Sequence, residues 1–170
     1  ICDTFFKYIL FIIFILWFSY ERKKSDKLQQ KRDDDFWQRE HDANFTRRKN
    51  LDAIEYIIIP YDRFPVGKYA DTEAIAQCEE TLLSLKDKRI LNLTGKTSTD
   101  LKLEYGAANL DALNEYDENY ILLVRTLQQY AEALHNDGHT DDALPVLEYA
   151  INIGSDIKAT YTLLAGIYHE

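Results

Sequence analysis

The apolar row at residues 8–18, YILFIIFILWF, constrains this chain more than any other feature, because a helix that is apolar all round has few stable environments. Extended to residues 4–20, it is interrupted only by Lys7. As a helix it covers roughly 25 Å, slightly less than the ~30 Å hydrocarbon core of a bilayer. The chain opens on Ile1 rather than Met, and residues upstream would lengthen the span. Lys7 can snorkel to one interface, while Trp17 and Tyr20 suit the other. The expectation is a membrane anchor over residues 1–20.

Three other readings fit less well. A cleaved signal peptide needs basic residues ahead of the apolar row and small residues behind it. Here the basic residues follow, and Phe18-Ser19-Tyr20-Glu21 has no small-x-small pattern. A lipoprotein needs its cysteine after the apolar stretch, whereas Cys2 precedes it. A buried core helix is poorly served by an all-round apolar surface that runs straight into ERKK.

Charge sets the orientation. The net charge is −9, but residues 1–20 are neutral and residues 21–32 carry +4. Arg22, Lys23, Lys24, Lys27, Lys31 and Arg32 lie just after the apolar row, where anionic head groups would meet them. The positive-inside rule then places the N-terminus outside and residues 21–170 in the cytoplasm of a single-pass membrane protein. Cys78 should stay a reduced, buried thiol on an apolar helical stripe, and it cannot pair with Cys2 across the membrane. The N-x-Thr triplets at Asn44 and Asn92 are then coincidental. The remainder of the chain is acidic, which disfavours nucleic acid as a partner.

The expected fold class is mainly α, in three parts. The anchor occupies residues 1–20, a charged juxtamembrane helix residues 21–50, and a cytoplasmic helical domain residues 51–170. Within that domain, residues 56–59 are a short β-prone run ended by Pro60, expected as an extended segment laid against helices. A helix is expected over residues 72–89, capped by Asp71 or Thr72, with Ile75, Cys78, Leu82 and Leu85 as its stripe. Ser98 or Thr99 can cap a short helix ending near Gly106, and residues 109–113 read as another helical turn. The clearest helix covers residues 117–137, with Tyr120, Leu123, Val124, Leu127, Ala131 and Leu134 at i, i+3, i+4 spacing. Asp137 and Gly138 end it. Thr140 or Asp141 caps a second helix to about Ile153, with Pro145 in or just past its first turn, and a third helix runs from there to the chain end.

Residues 117–170 repeat with a shift of 34. Leu127, Tyr130, Ala131 and Leu134 fall on Tyr161, Leu164, Ala165 and Tyr168. Gly138 lies in the intervening turn, and Ala143, Leu147 and Ala150 make a small-large-small pattern on the second helix. In these features the segment resembles the tetratricopeptide repeat. It departs at Ser155, where that family usually has proline, and in showing one full repeat plus one further first helix. More loosely, the whole layout resembles uncharacterised single-pass membrane proteins of clostridial-type bacteria, a likeness that implies a location and no activity.

The tetratricopeptide resemblance implies a concave groove for a protein partner, lined by first-helix residues between core positions: Arg125, Gln128, Glu132, His135, Thr162 and His169. Glu132 would repel a C-terminal carboxylate, so a carboxylate clamp is not expected. Self-assembly is the alternative, with the anchor holding an oligomer at the membrane. No enzyme is expected, and no cofactor or metal. His135 and His139 are four apart but separated by Gly138 at a helix end, and no zinc-protease glutamate accompanies them. Gly95-Lys96-Thr97 lacks the first glycine of a phosphate loop, since Ile90 stands there. Three adjacent aspartates at residues 33–35 lack the alternation and turn glycine of a calcium loop.

Overall fold

The computed structural model describes residues 2–69 and 71–169, with side chains from residue 11 onward. The chain is mainly α-helical, with six α-helices and no strand among the described residues. They are α1 (Cys2–Asn44), α2 (Glu73–Ser84), α3 (Ser98–Tyr105), α4 (Leu110–Asn136), α5 (Thr140–Asn152) and α6 (Lys158–Ile167).

Helix α1 runs without a break through the apolar row and most of the charged segment. Every side chain from residue 11 to residue 39 is exposed. Among the described residues no helix is long and apolar enough to cross a membrane. Residues 4–10, the first part of the expected anchor, lie outside the described side chains. The helix expected to reach residue 50 stops at Asn44: the Phe45 and Thr46 amides close its last turn on the His41, Asp42 and Ala43 carbonyls, and from Arg48 on the chain bonds to the body. The Lys49 amide donates to the Tyr105 carbonyl at 3.0 Å. The end of α1 is clamped to α3. Ala43 is fully buried, Arg39 pairs with Asp100 at 2.5 Å, and Glu40 accepts from Thr99 at 2.6 Å and from the Lys102 ammonium.

Residues 55–60 are extended, as expected, and lie against the helices. The Ile57 amide donates to the Ile90 carbonyl at 3.0 Å, and the Tyr149 hydroxyl donates to the Ile58 carbonyl at 2.9 Å. Helix α2 is shorter than expected, ending at Ser84 in successive turns through Lys88. Its buried face carries the expected Ile75, Cys78 and Leu82 together with Glu79, a charge on an otherwise apolar stripe. Burial pushes the Cys78 thiol pKa up, with the neighbouring Glu79 adding to the shift, which suits an inert structural thiol.

Helix α3 is capped by Thr97 rather than by Ser98 or Thr99. Its hydroxyl and the Asp100 carboxylate exchange bonds with each other's backbone N–H in a capping box. Lys96 pairs with Glu104 at 2.5 Å. The residues of Gly95-Lys96-Thr97 are therefore occupied locally.

Helix α4 begins at Leu110, seven residues before the expected start, so the turn at residues 109–113 and the long helix are one element of 27 residues. It reaches two cores. Tyr120, Leu123, Val124, Leu127, Tyr130, Ala131 and Leu134 pack with α2, α5 and the extended segment. Leu113 packs with Leu51, Leu93 and Leu101 in a smaller cluster beside α3.

Both α4 and α5 end the same way. Gly138 and Gly154 take φ of +86° and +87°, and the next residue's amide reaches back to the helix: His139 to the Leu134 carbonyl and Ser155 to the Ala150 carbonyl. This left-handed glycine cap needs no proline behind it. Pro145 lies just past the first turn of α5, as expected, and removes the bond to the Asp141 carbonyl.

The α1–α3 clamp has a pH signature. Hydrogen bonds from Lys102 and then Thr99 hold the Glu40 carboxyl below its ordinary 4.5. A carboxylate depressed in the folded state adds stability above its unfolded pKa and loses it as pH falls through the folded value. Urea unfolding of Glu40→Gln should therefore be less stable than the parent at pH 7, with the gap narrowing below pH 4.5. A gap independent of pH would count against the clamp.

Candidate functional site

The apolar stripe of α4 faces α2 and α5, which leaves Arg125, Gln128, Glu132 and His135 on its other side. Helix α6 packs on α5 and touches α4 with Thr160 fully buried. Between α4 and α6 a groove of about 330 Å³ remains open. Gln128, Glu132, His135 and Asn136 form one wall, and Ala159, Thr162, Leu163, Gly166 and Ile167 the other.

Four of the six expected groove residues meet here: Gln128, Glu132, His135 and Thr162. Arg125 and His169 do not line it. Arg125 lies nearly one turn before Gln128 on an exposed part of α4, and His169 lies beyond the end of α6. The part of the α6 wall that sequence reasoning missed is Ala159, Leu163, Gly166 and Ile167. Ala159 and Gly166 are seven residues apart on α6, so they share a face, and their small side chains leave the space the groove occupies.

The polar wall is ordered by its own hydrogen bonds. Gln128 Nε2 donates to Glu132 Oε2 at 2.7 Å, holding the carboxylate along α4. His135 Nδ1 lies 3.0 Å from the Thr140 hydroxyl, which ties the ring to the start of α5. Glu132 is the one formally charged group among the lining residues. The groove therefore favours a basic or neutral ligand over an acidic one.

The 34-residue correspondence is uneven in burial. Leu127, Tyr130, Ala131 and Leu134 are fully buried, whereas Tyr161, Ala165 and Tyr168 are exposed and Leu164 is half-buried. On α4 those positions are covered by neighbouring helices. On α6 no described helix follows to cover them. Tyr161 and Tyr168 instead turn their hydroxyls to the Ser155 carbonyl at 2.7 Å and to Glu148 at 2.8 Å.

Behind the groove, α4 is fixed by a buried polar contact. The Tyr130 hydroxyl donates to Glu79 Oε1 at 2.9 Å, and the Gly67 amide donates to Glu79 Oε2 at 2.9 Å. Burial first, and the Glu79 carboxylate second, drive the Tyr130 pKa strongly upward. A second cluster ties Lys68, Tyr69 and Thr72 to the α4–α5 turn and the start of α5. Asp142 accepts from Lys68 at 2.7 Å and from Tyr69 at 2.5 Å, which lowers the Asp142 pKa and raises that of Lys68. The Tyr69 ring stacks on His139 at 3.7 Å, and Thr72 donates to Asp137 at 3.1 Å instead of capping α2. His135 and His139 thus serve different elements. Among the described residues no three His, Cys, Asp or Glu side chains gather closely enough to hold a metal ion.

Comparison with protein-family models, curated proteins and solved structures finds no match to this chain.

Tyr130→Phe keeps the ring and leaves Glu79 buried with one donor fewer. It should destabilise the domain by about 1–3 kcal/mol, read by urea unfolding. A change below about 0.5 kcal/mol would mean that this bond does not fix α4 against α2.

Proposed function

We propose that this chain is a membrane-tethered scaffold or adaptor whose short tetratricopeptide-like domain holds a protein partner between α4 and α6. The observation that carries the proposal is the groove itself. Two helices related by the 34-residue spacing face each other across an open cleft, and four of the residues expected to line it do so. The partner segment is neutral or basic, since Glu132 is the charge it meets.

The tether in this reading is the apolar row over residues 4–20, with the basic residues 22–32 against anionic lipid and the body on the cytoplasmic side. From residue 11 to Arg39 the side chains of α1 are exposed, and Arg39 makes a bond to the body. A helix from residue 21 to that point rises about 27 Å, the most it can separate the body from the head groups. No catalytic step is part of this proposal.

A second reading, self-assembly at the membrane, is favoured by one observation. Tyr161, Ala165 and Tyr168 leave an uncovered apolar face on α6 at positions whose α4 counterparts are buried.

A photo-crosslinking residue placed at Thr162 in the full chain separates the two in native membranes. The adaptor reading predicts a crosslinked partner whose yield falls about tenfold with Glu132→Lys, which puts like charge against a basic segment. Crosslinks to the chain alone, unchanged by Glu132→Lys, would reject the groove and leave self-assembly.

A further inference from the structure

A second cavity, of about 410 Å³, lies on the far side of α4 from the groove, between residues 48–52, Arg89 and the first turns of α4. The chain is acidic overall, yet this cavity gathers Arg48, Lys49 and Arg89 against one carboxylate, Asp52. Asp52 is committed to Arg89 at 2.9 Å. Arg48 and Lys49 form no ion pair among the described residues. Lys49 is felt at longer range by Glu104, which is itself bonded to Lys96.

The cationic segment is held in place by the chain around it. Asn109 is almost wholly buried, and its amide nitrogen donates to the Lys49 carbonyl at 2.7 Å and the Tyr105 carbonyl at 2.8 Å. That fixes which way the amide points, so its oxygen accepts from Arg48 Nε at 3.0 Å. A guanidinium bonded through Nε keeps both terminal nitrogens for something else. Beneath it, Gly106 lets two backbones touch: at φ +93°, a Cβ there would stand 2.6 Å from the Arg47 carbonyl oxygen and 2.7 Å from the Arg48 Cα. Surface arginines that only solvate a protein need no such support, and a positioned guanidinium beside an ammonium is the donor set that suits a tetrahedral oxyanion.

We propose that this cavity binds a phosphoryl group, carried by a small molecule or by a phospholipid head group. Arg48 presents its terminal nitrogens to two oxygens and Lys49 supplies a point charge. Arg89, already neutralised by Asp52, forms the far wall with Tyr116. The cavity is several times larger than one phosphate, so the group arrives with an organic part attached. This site is independent of the α4–α6 groove.

Titration calorimetry of the full chain in neutral detergent, with pyrophosphate as the probe at low salt, tests the site. Saturable binding is expected, weakened about tenfold by Lys49→Gln and by Arg48→Gln and unchanged by Lys86→Gln outside the cavity. Arg48→Gln can disturb Asn109, whereas the Lys49 side chain makes no hydrogen bond among the described residues, so Lys49→Gln decides the matter if the first variant unfolds. Adding phosphatidic acid to the micelles identifies the source. Competition with pyrophosphate assigns the site to a head group, and the absence of competition assigns it to a soluble phosphorylated compound. No saturable binding, or equal affinity in the parent and Lys49→Gln, overturns the proposal.

Discussion

Helix α4 passes through both hydrophobic clusters, and every other part of the body is placed by it. Its first turns put Leu113 among Leu51, Leu93 and Leu101, which holds α3 and, through α3, the end of α1. Its remaining turns form the wall against which α2 and α5 pack. A cluster as small as the first buries too little apolar surface to stand alone. Its stability depends on being continuous with a helix already ordered by the larger core. The groove and the cationic cavity both border this helix, one near its end and one near its start, so both inherit its rigidity.

Polar side chains suited to local capping are used here for tertiary bonds instead. Asn109 stands at the N-cap of α4 and makes no cap bond, because its amide joins residues 48–49 to Tyr105. Thr72 holds the same position on α2 and donates to Asp137. Glu79 interrupts an apolar stripe to receive Tyr130 and the Gly67 amide. Among them, these contacts join residues 49 and 109, 72 and 137, and 79 and 130, which are distant in sequence. Segments so tied give a domain with few glycines and prolines its defined surface, including the walls of both cavities.

Much of this was legible in the sequence where periodicity spoke. The stripes of α2 and α4, the glycine end of α4 and the extended run before Pro60 all follow from spacing and turn chemistry. The early start of α4 did not, since Asn109 and Gly106 read as local stop and start signals while their roles are set by residues 47–49. The end of α1 at Asn44 was hidden for the same reason: nothing in the composition of residues 45–50 forbids a helix, and the bonds of Arg48 and Lys49 to Asn109 and Tyr105 draw the chain away. Of the groove, the charged and polar wall on α4 was readable from the gaps between core positions. Most of the α6 wall was not, because Ala159 and Gly166 signal space only once α6 is seen against α4. The cationic cavity had no sequence signal at all, as Arg48 and Arg89 are brought together by the fold.

Hydrogen exchange on the full chain carrying Leu113→Ala tests α4 as a single spine most directly. If one helix unites both cores, cavity formation at Leu113 lowers protection together in α3, along all of α4 and in α5, by the same free energy. Loss confined to residues 98–116, with the rest of α4 and α5 as protected as in the parent, would contradict it and show two cores that open separately.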